Sequence, residues 1–530
     1  MKKQQLFILV CAFFGASNLR AQQALDVLHY HLSIAVSDTS DRIVVHEEIQ
    51  LKAPASTQVV LDLGDPSLDG KGMRVTQVKQ HGKSCAFKQL NEHLIIDLAF
   101  ASSDTLSFEI DFSGIPKDGL IIGKNKYKQR TFFADNWPNR AHQWYACHDH
   151  PIDRATYTYV VSAPAHYSVV ANGVCRQEVI AGSSKIWTYE CKVPIPAKVA
   201  VIGVAEMRIE KLEPLAGHVN QPTIYSAVYL PHQKEALDAM ASAPKIMAYF
   251  DSLLAPYPLE QLFNVQSTTR YGGMENAGCI FYDEKALKGK GSADELIAHE
   301  IAHQWFGNTV TETEWKHLWL TEGFATYFEN CYLQYDKGQE AFVNKLKFER
   351  AVVINFCHQA AKPMVDGKSE VNALLNANSY QKGAWVLHML RIELGDSLFF
   401  EGIRQYYETY KLGNASSEDF WKVMASTSGR NLDAFFKQWL YQDGLPQLQT
   451  SLVSSETNTK IYLEQKQAAL FQFPLRIELL IDGKTVGELN VKIDARKNQV
   501  LIPAQFNDPK LSIRLDPKTE LLFEMVNNAN

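Results

Sequence analysis

Strand-like and helix-like patterns are segregated along this chain, and that segregation limits the fold more than any single residue does. Residues 22–207 read as β. Short runs at 44–51, 59–63 and 157–161 carry β-branched and aromatic side chains, and Gly, Pro, Asn and Asp turns separate them. Residues 208–445 read as helical. Runs at 293–306, 320–335 and 340–357 have helical spacing, and a run at 236–254 is interrupted at Pro244, where a helix loses a donor and clashes. The run at 379–394 stops at Gly395, and Ser416 with Asp419 forms the sequence of a capping box. Gly444-Leu445-Pro446 punctuates the next boundary. Residues 446–530 return to strand-like runs and are expected to form a small β-sandwich. The fold class is therefore multidomain α+β, and 530 residues at roughly 100–200 per domain agree with about three domains.

Composition removes several functions. With 53 basic against 59 acidic residues and no Lys/Arg-rich block, the chain is a poor nucleic-acid binder. No apolar run reaches the roughly 18 residues a spanning helix needs. Lys2 and Lys3, a short apolar core at 6–14, small residues at 15–17 and Leu19-Arg20-Ala21 read as a signal peptide over 1–21, cleaved near Ala21. That places the mature protein outside the cytoplasm, periplasmic or secreted. Seven cysteines remain once Cys11 is removed. Cys175 and Cys191 flank a hairpin-like stretch, where folding about Ser183 sets them opposite each other, either as a disulfide or as two separate buried thiols. Cys147-His148-Asp149-His150 has metal-binding residue types but no second cluster to complete a site.

The chemistry lies in the helical segment. His299-Glu300-Ile301-Ala302-His303 puts two imidazoles at i and i+4, on one helix face, where both can bind one metal. Glu300 stands beside them to work on metal-bound water. A hydrolytic zinc site takes three protein ligands and one open position. Glu322 follows His303 after 18 intervening residues, on a second helical run that can deliver its carboxylate. Zinc lowers the pKa of its water toward about 7 and polarises a scissile carbonyl. Glu300 then moves the proton to the leaving amine, and a neutral donor near the metal stabilises the oxyanion. A tyrosine suits that role, but spacing alone does not choose among 22.

Four motifs carry a resemblance. They are HEIAHQWFGN at 299–308, GGMEN at 272–276, WLTEGFATY at 319–327 and Tyr380-Gln381-Lys382-Gly383-Ala384. In this order and spacing the chain resembles the aminopeptidase N family, zinc peptidases related to leukotriene hydrolase. The resemblance covers nearly the whole mature chain. It implies an N-terminal β saddle (22–207), a thermolysin-like, mostly helical catalytic domain (208–445) and a small C-terminal β-sandwich (446–530). It implies one Zn2+ per chain, held by His299, His303 and Glu322, with Glu300 as general base and Tyr380 as the oxyanion donor. Glu275 would hold the substrate's free α-amine, since a buried ammonium needs a paired charge. Gly272, Gly273 and Met274 line the peptide's approach, the glycines allowing close backbone contact. The segment 133–138, running into 147–151, resembles the family stretch that lends a second polar residue to the amine site, which makes Asp135 the candidate.

Two departures stand out. Thr321 replaces the Asn that many members carry before the ligand Glu322, a modest change in the hydrogen bonding around that ligand. The chain also ends soon after the expected sandwich, as in a short form without the large C-terminal helical domain. The expected activity is removal of single residues from peptides with a free N-terminus. A zinc endopeptidase on the same scaffold and a catalytically silent peptide-binding protein are the alternatives. The preferred first residue and the oligomeric state are not readable from the sequence.

Overall fold

The structure, a computed structural model, describes residues 25–102, 105–215, 222–455 and 458–526. The expected signal peptide lies outside the described residues. The chain forms two compact units. One runs up to Thr311 and includes Lys411–Asn414; the other takes Glu312–Tyr410 and Ala415 onward.

The first unit opens with β-structure built on strict alternation. In Thr105–Ile115, Leu106, Phe108, Ile110 and Phe112 are buried while Glu109 and Asp111 face outward. Eight strands share that sheet. At its centre Asp26–Ala35 lies parallel to Ala155–Pro164 and antiparallel to Ile43–Lys52. Tyr30 and Tyr157 face each other in register and stack at 4.9 Å, with Tyr145 edge-on to Tyr30 at 5.6 Å. A four-stranded sheet contains the buried strand Arg130–Ala134. A five-stranded mixed sheet follows, in the order Met207–Leu212, Thr223–Tyr229, Gln261–Ser267, Cys279–Asp283 and Gly273–Met274. Its last strand is only two residues long and sits at the edge. The expected break at Pro244 is present: helices Gln233–Met240 and Ala243–Leu253 flank it, with the proline in the first turn of the second. Helix Asp294–Ala302 packs on Ala243–Leu253 and on the edge strand.

The second unit holds the helices Trp319–Lys337, Gln339–Gln359, Gly383–Leu394, Asp396–Tyr410, Ser417–Ser428 and Asp433–Tyr441. Trp319, Phe324, Tyr406, Phe420 and Phe436 form its buried aromatic centre. The Ser416–Asp419 capping box is made, and Gly395 stops its helix at φ +80°. Two small sheets close the unit, one of four strands around Thr459–Gln465 and one of three around Phe473–Ile481. The α+β class and its broad order, β-rich, then helical, then β, are those read from the sequence, but the five-stranded sheet carries β-structure on to Asp283, into residues the sequence pattern assigns to helix. Among the described residues, no helix is long and apolar enough to cross a membrane.

The disulfide alternative is corrected. The hairpin turns on Gly182-Ser183 with Ala181 opposite Ser184, and a register shift at Cys175/Gln177 leaves Cys175 facing Tyr189. Cys191 pairs instead with Tyr157 on the neighbouring strand, so one cysteine is exposed, the other buried, and both are free thiols. Cys147 and its neighbours are structural. Cys147 exchanges backbone hydrogen bonds with Asp62, and His148 stands 3.7 Å from Asp153.

A carboxylate–imidazole network joins this region. His142 Nδ1 lies 2.7 Å from Asp149, its Nε2 3.3 Å from Glu92, and His93 lies 3.0 Å from Asp62. Burial pulls the His142 pKa down, but its hydrogen bond and charge contact with Asp149 outweigh burial and leave it raised to about 9. A base raised in the folded state contributes stability that is full below its unfolded pKa near 6.5 and lost as pH rises through about 9. The stability gap between the native chain and a His142→Gln variant should therefore shrink from pH 6.5 to pH 10, as read by denaturant midpoints at each pH.

Candidate active site

Helix Asp294–Ala302 starts with Asp294 and Glu295 in its first turn, where carboxylates complement the helix dipole. It ends sooner than the sequence pattern implies, at Ala302 rather than at residue 306. Gln304 N bonds Ile301 O, Trp305 N bonds Ala302 O, and Gly307 at φ +126° turns the chain away. His299 and His303 still share a face, with their Nε2 atoms 3.1 Å apart. His303 Nδ1 lies 3.1 Å from Phe306 O. A carbonyl only accepts, so Nδ1 carries the proton and Nε2 presents its lone pair.

Glu322 comes from the first turn of helix Trp319–Lys337 and is buried. The ligand atoms of His299, His303 and Glu322 all lie within 4.8 Å of one another. Two imidazoles with lone pairs on one point and one carboxylate are a donor set that fits zinc. Thr321 donates its hydroxyl to the buried Glu312 carboxylate at 2.9 Å, so the polar role expected beside Glu322 is filled.

Glu300 is buried against the backbone of Gly273. A Cβ built on Gly273 would stand 2.2 Å from Glu300 Oε1, so the missing side chain lets the carboxylate lie on the edge strand. Met274 is buried, and Gly272 O accepts from Asp283 N at 3.0 Å. Glu275 follows directly, 5 % exposed, at the end of that strand. Its carbonyl is held by the side chains of Gln304 (3.0 Å) and Asn308 (2.5 Å). Sequence reading assigned nothing to Gln304 or Asn308, although both stand inside the quoted motif.

Asp135 is fully buried at the end of strand Arg130–Ala134. Arg140 binds its Oδ1 at 2.6 Å, while Oδ2 is buried without a hydrogen-bond partner. Burial raises its pKa, against the opposing charges of Arg140 and of Arg270, the latter two residues before Gly272. Arg140 and Arg270 both meet Asp118, so the four residues alternate in charge.

Tyr380 lies in a single π-turn, Asn378–Lys382, where the sequence pattern implied a continuous α-helix. Such turns accommodate an extra residue and recur at functional sites. This one is fixed on several sides. Ser379 Oγ bonds Leu374 O at 2.7 Å, Asn378 Nδ2 bonds Lys362 O at 3.0 Å, and the buried Lys382 ammonium bonds Gly444 O at 3.0 Å. Gly383 then meets Gly323, the neighbour of Glu322, backbone to backbone: a Cβ on Gly383 would stand 2.8 Å from Gly323 Cα.

With this geometry in place, the comparisons with known proteins are specific. Residues 27–198 match the peptidase M1 N-terminal domain and residues 238–439 the peptidase family M1 domain. The chain belongs to peptidase family M1. It is 27% identical to the probable aminopeptidase 2 of Sulfurisphaera tokodaii over 84% of this chain and 58% of that protein. To the mitochondrial aminopeptidase 2 of Saccharomyces cerevisiae it is 25% identical, over 78% of this chain and 47% of that one. It therefore spans about half the length of the curated relatives it matches. In fold it is similar to the M1 zinc metallopeptidase from Deinococcus radiodurans, with a TM-score of 0.69 at 23% identity, covering 80% of this chain and 95% of that one.

The Gly323–Gly383 contact leaves no room for a methyl group. Gly383→Ala should destabilise the chain by roughly 1–3 kcal/mol, the usual range for overpacking. A fall in the urea midpoint, with zinc content unchanged, would show it.

Proposed function

We propose that this M1-family chain is a zinc-dependent aminopeptidase that releases single residues from the free N-terminus of peptides. The observation that carries the reading is the convergent set of His299, His303 and Glu322, with Glu300 beside it against the strand that ends in Glu275. Zinc held by the three ligands supplies a Lewis acid and makes water acidic enough to attack near neutral pH. Glu300 takes the proton of the attacking water and returns it to the leaving amine. Tyr380 donates its phenolic proton in a hydrogen bond to the developing oxyanion. Glu275 pairs with the α-ammonium, and the buried Oδ2 of Asp135 offers a second acceptor. Gly272, Gly273 and Met274 form the backbone rail along which the peptide approaches.

The curated relatives support this reading, since those named above carry aminopeptidase names. The domain division follows the sequence: β domain at 22–207, catalytic domain at 208–445, C-terminal sandwich at 446–530. The N-terminal signal, with cleavage near Ala21, assigns the mature enzyme to the periplasm or the exterior. An endopeptidase on this scaffold is disfavoured by the buried carboxylate of Glu275, because an internal peptide brings no positive charge to pair with it, whereas a free N-terminus does. A silent binding protein is disfavoured by the complete set of His299, Glu300, His303, Glu322 and Tyr380.

The test uses zinc-loaded protein and one peptide series with free and acetylated N-termini, with products followed by mass. Stepwise loss of single residues from free peptides alone is expected; internal cleavage of both forms would establish the endopeptidase, and zinc-loaded protein that cleaves neither would establish the binding protein. Glu300→Gln should lower kcat about 10²–10⁴-fold, the usual contribution of a general base. In His303→Ala, zinc measured by mass spectrometry should fall below one per chain.

A further inference from the structure

We infer that Gln304 and Asn308 are positioning residues that set the one-residue register of cleavage, by locking the backbone of Glu275 to the turn that follows His303. The inference rests on the proposed pairing of Glu275 with the substrate's α-ammonium. An enzyme that releases single residues measures a distance, from the group that holds the amine to the metal that meets the carbonyl. One residue of extended chain is roughly 3.3–3.6 Å, so an amine anchor able to drift that far would present the second peptide bond.

Glu275 is weakly fixed by its own strand. Gly273–Met274 is a two-residue edge strand with one partner, Cys279–Asp283, and Glu275 lies just beyond the ladder. Two residues on, Ala277 is held by Val199 O at 3.2 Å and by Asn172 Nδ2 at 2.7 Å; at the Glu275 carbonyl itself the constraint comes from two side chains. A carbonyl oxygen has two lone pairs, and Glu275 O receives two amide donors, Gln304 Nε2 and Asn308 Nδ2. Gln304 also bonds the far end of the same loop, its Oε1 accepting from Gly278 N at 2.9 Å. Its Nε2 touches Glu300 O at 3.3 Å as well, which ties the loop to the backbone of the general base. Asn308 is placed by its own N–H, which bonds His303 O at 3.0 Å. Gln304 is fully buried and Asn308 nearly so, and water cannot replace these donors without opening the site. The amine anchor, the base and one metal ligand are thus on a single hydrogen-bonded unit.

Satisfying a buried carbonyl is the simpler purpose for such bonds, and it requires no effect on register. The experiment separates the two. Gln304→Ala, Asn308→Ala and the double variant are assayed with free and acetylated tetrapeptides, following single-residue and dipeptide release alongside zinc content and melting. A misplacement near 1 Å is enough for losses of about 100-fold. The double variant is expected to lose about 10–100-fold in kcat/KM for single-residue release and to gain dipeptide release, with one zinc per chain retained. Equal loss on all substrates, with single residues still the only product, would overturn the inference. If Gln304→Ala does not fold, Gln304→Met keeps the length and volume while removing the donor, and the same outcomes apply. Glu275→Gln is run in parallel: unchanged preference for free peptides in that variant would overturn the amine reading itself, whereas loss of that preference in Glu275→Gln, with single residues still the double variant's only product, overturns the lock alone.

Discussion

Two imidazole nitrogens 3.1 Å apart repel each other unless a proton or a cation stands between them. Holding that pair in place is the constraint on which the rest of the site depends. Helical geometry supplies part of it, since i and i+4 share a face. Rotation of the rings must also be stopped. For His303 the carbonyl of Phe306 does this by claiming Nδ1–H. That carbonyl is available only because the helix ends at Ala302 and the chain turns back. A helix continuing to residue 306 would point the later carbonyls along its axis. Early termination is therefore part of how the His303 imidazole is oriented, and the same turn brings Gln304 and Asn308 onto Glu275.

Close approach without side chains solves the second packing problem. Glu300 needs a dry, fixed place beside the edge strand, and the missing Cβ of Gly273 provides it. Helix Trp319–Lys337 must bring Glu322 to its position while the π-turn of Tyr380 packs on the same helix. Gly323 against Gly383 lets the two backbones touch there. In both places a glycine is required by distance; neither residue has a positive φ.

Much of this was legible in the sequence, and what was not has identifiable reasons. The i, i+4 spacing of His299 and His303 was readable because helical periodicity maps directly onto geometry, and Glu322 was readable from its motif on a second helix. The segregated β and helical patterns gave the α+β order. The strand register around Cys175 was misjudged by two residues, one because the turn centres between Gly182 and Ser183 and one because of the bulge at Cys175/Gln177, which no alternation pattern reveals. The π-turn at Tyr380 was hidden because no Gly or Pro inside Asn378–Lys382 marks a break; the turn is held by bonds to Leu374, Lys362 and Gly444, five, 16 and 62 residues away. Asp135 was marked only as a candidate for the amine site; that Arg140, five residues on, binds one of its oxygens was not visible in the sequence. Gln304 was unreadable for a different reason. Its role depends on a backbone carbonyl, and every residue offers one, so nothing in the sequence marks Glu275 as its partner.

The two units also differ in how they answer to pH. Lys382, buried in the Tyr380 turn, is pushed by burial down to about 8 from its ordinary 10.5, with its ammonium on Gly444 O. The fold therefore favours its neutral form. The cost of the charge is full below about pH 8 and is relieved as pH rises toward 10.5. His142 in the first unit has the opposite sign, since its raised pKa makes the charged form the stabilising one and alkali removes it. The two effects have opposite signs and overlap between about pH 8 and 9, where the His142 contribution is being lost and the Lys382 cost is being relieved. Near neutral pH the Lys382 ammonium is still charged, and its bond to Gly444 O is what pairs it inside the turn, two residues from Tyr380.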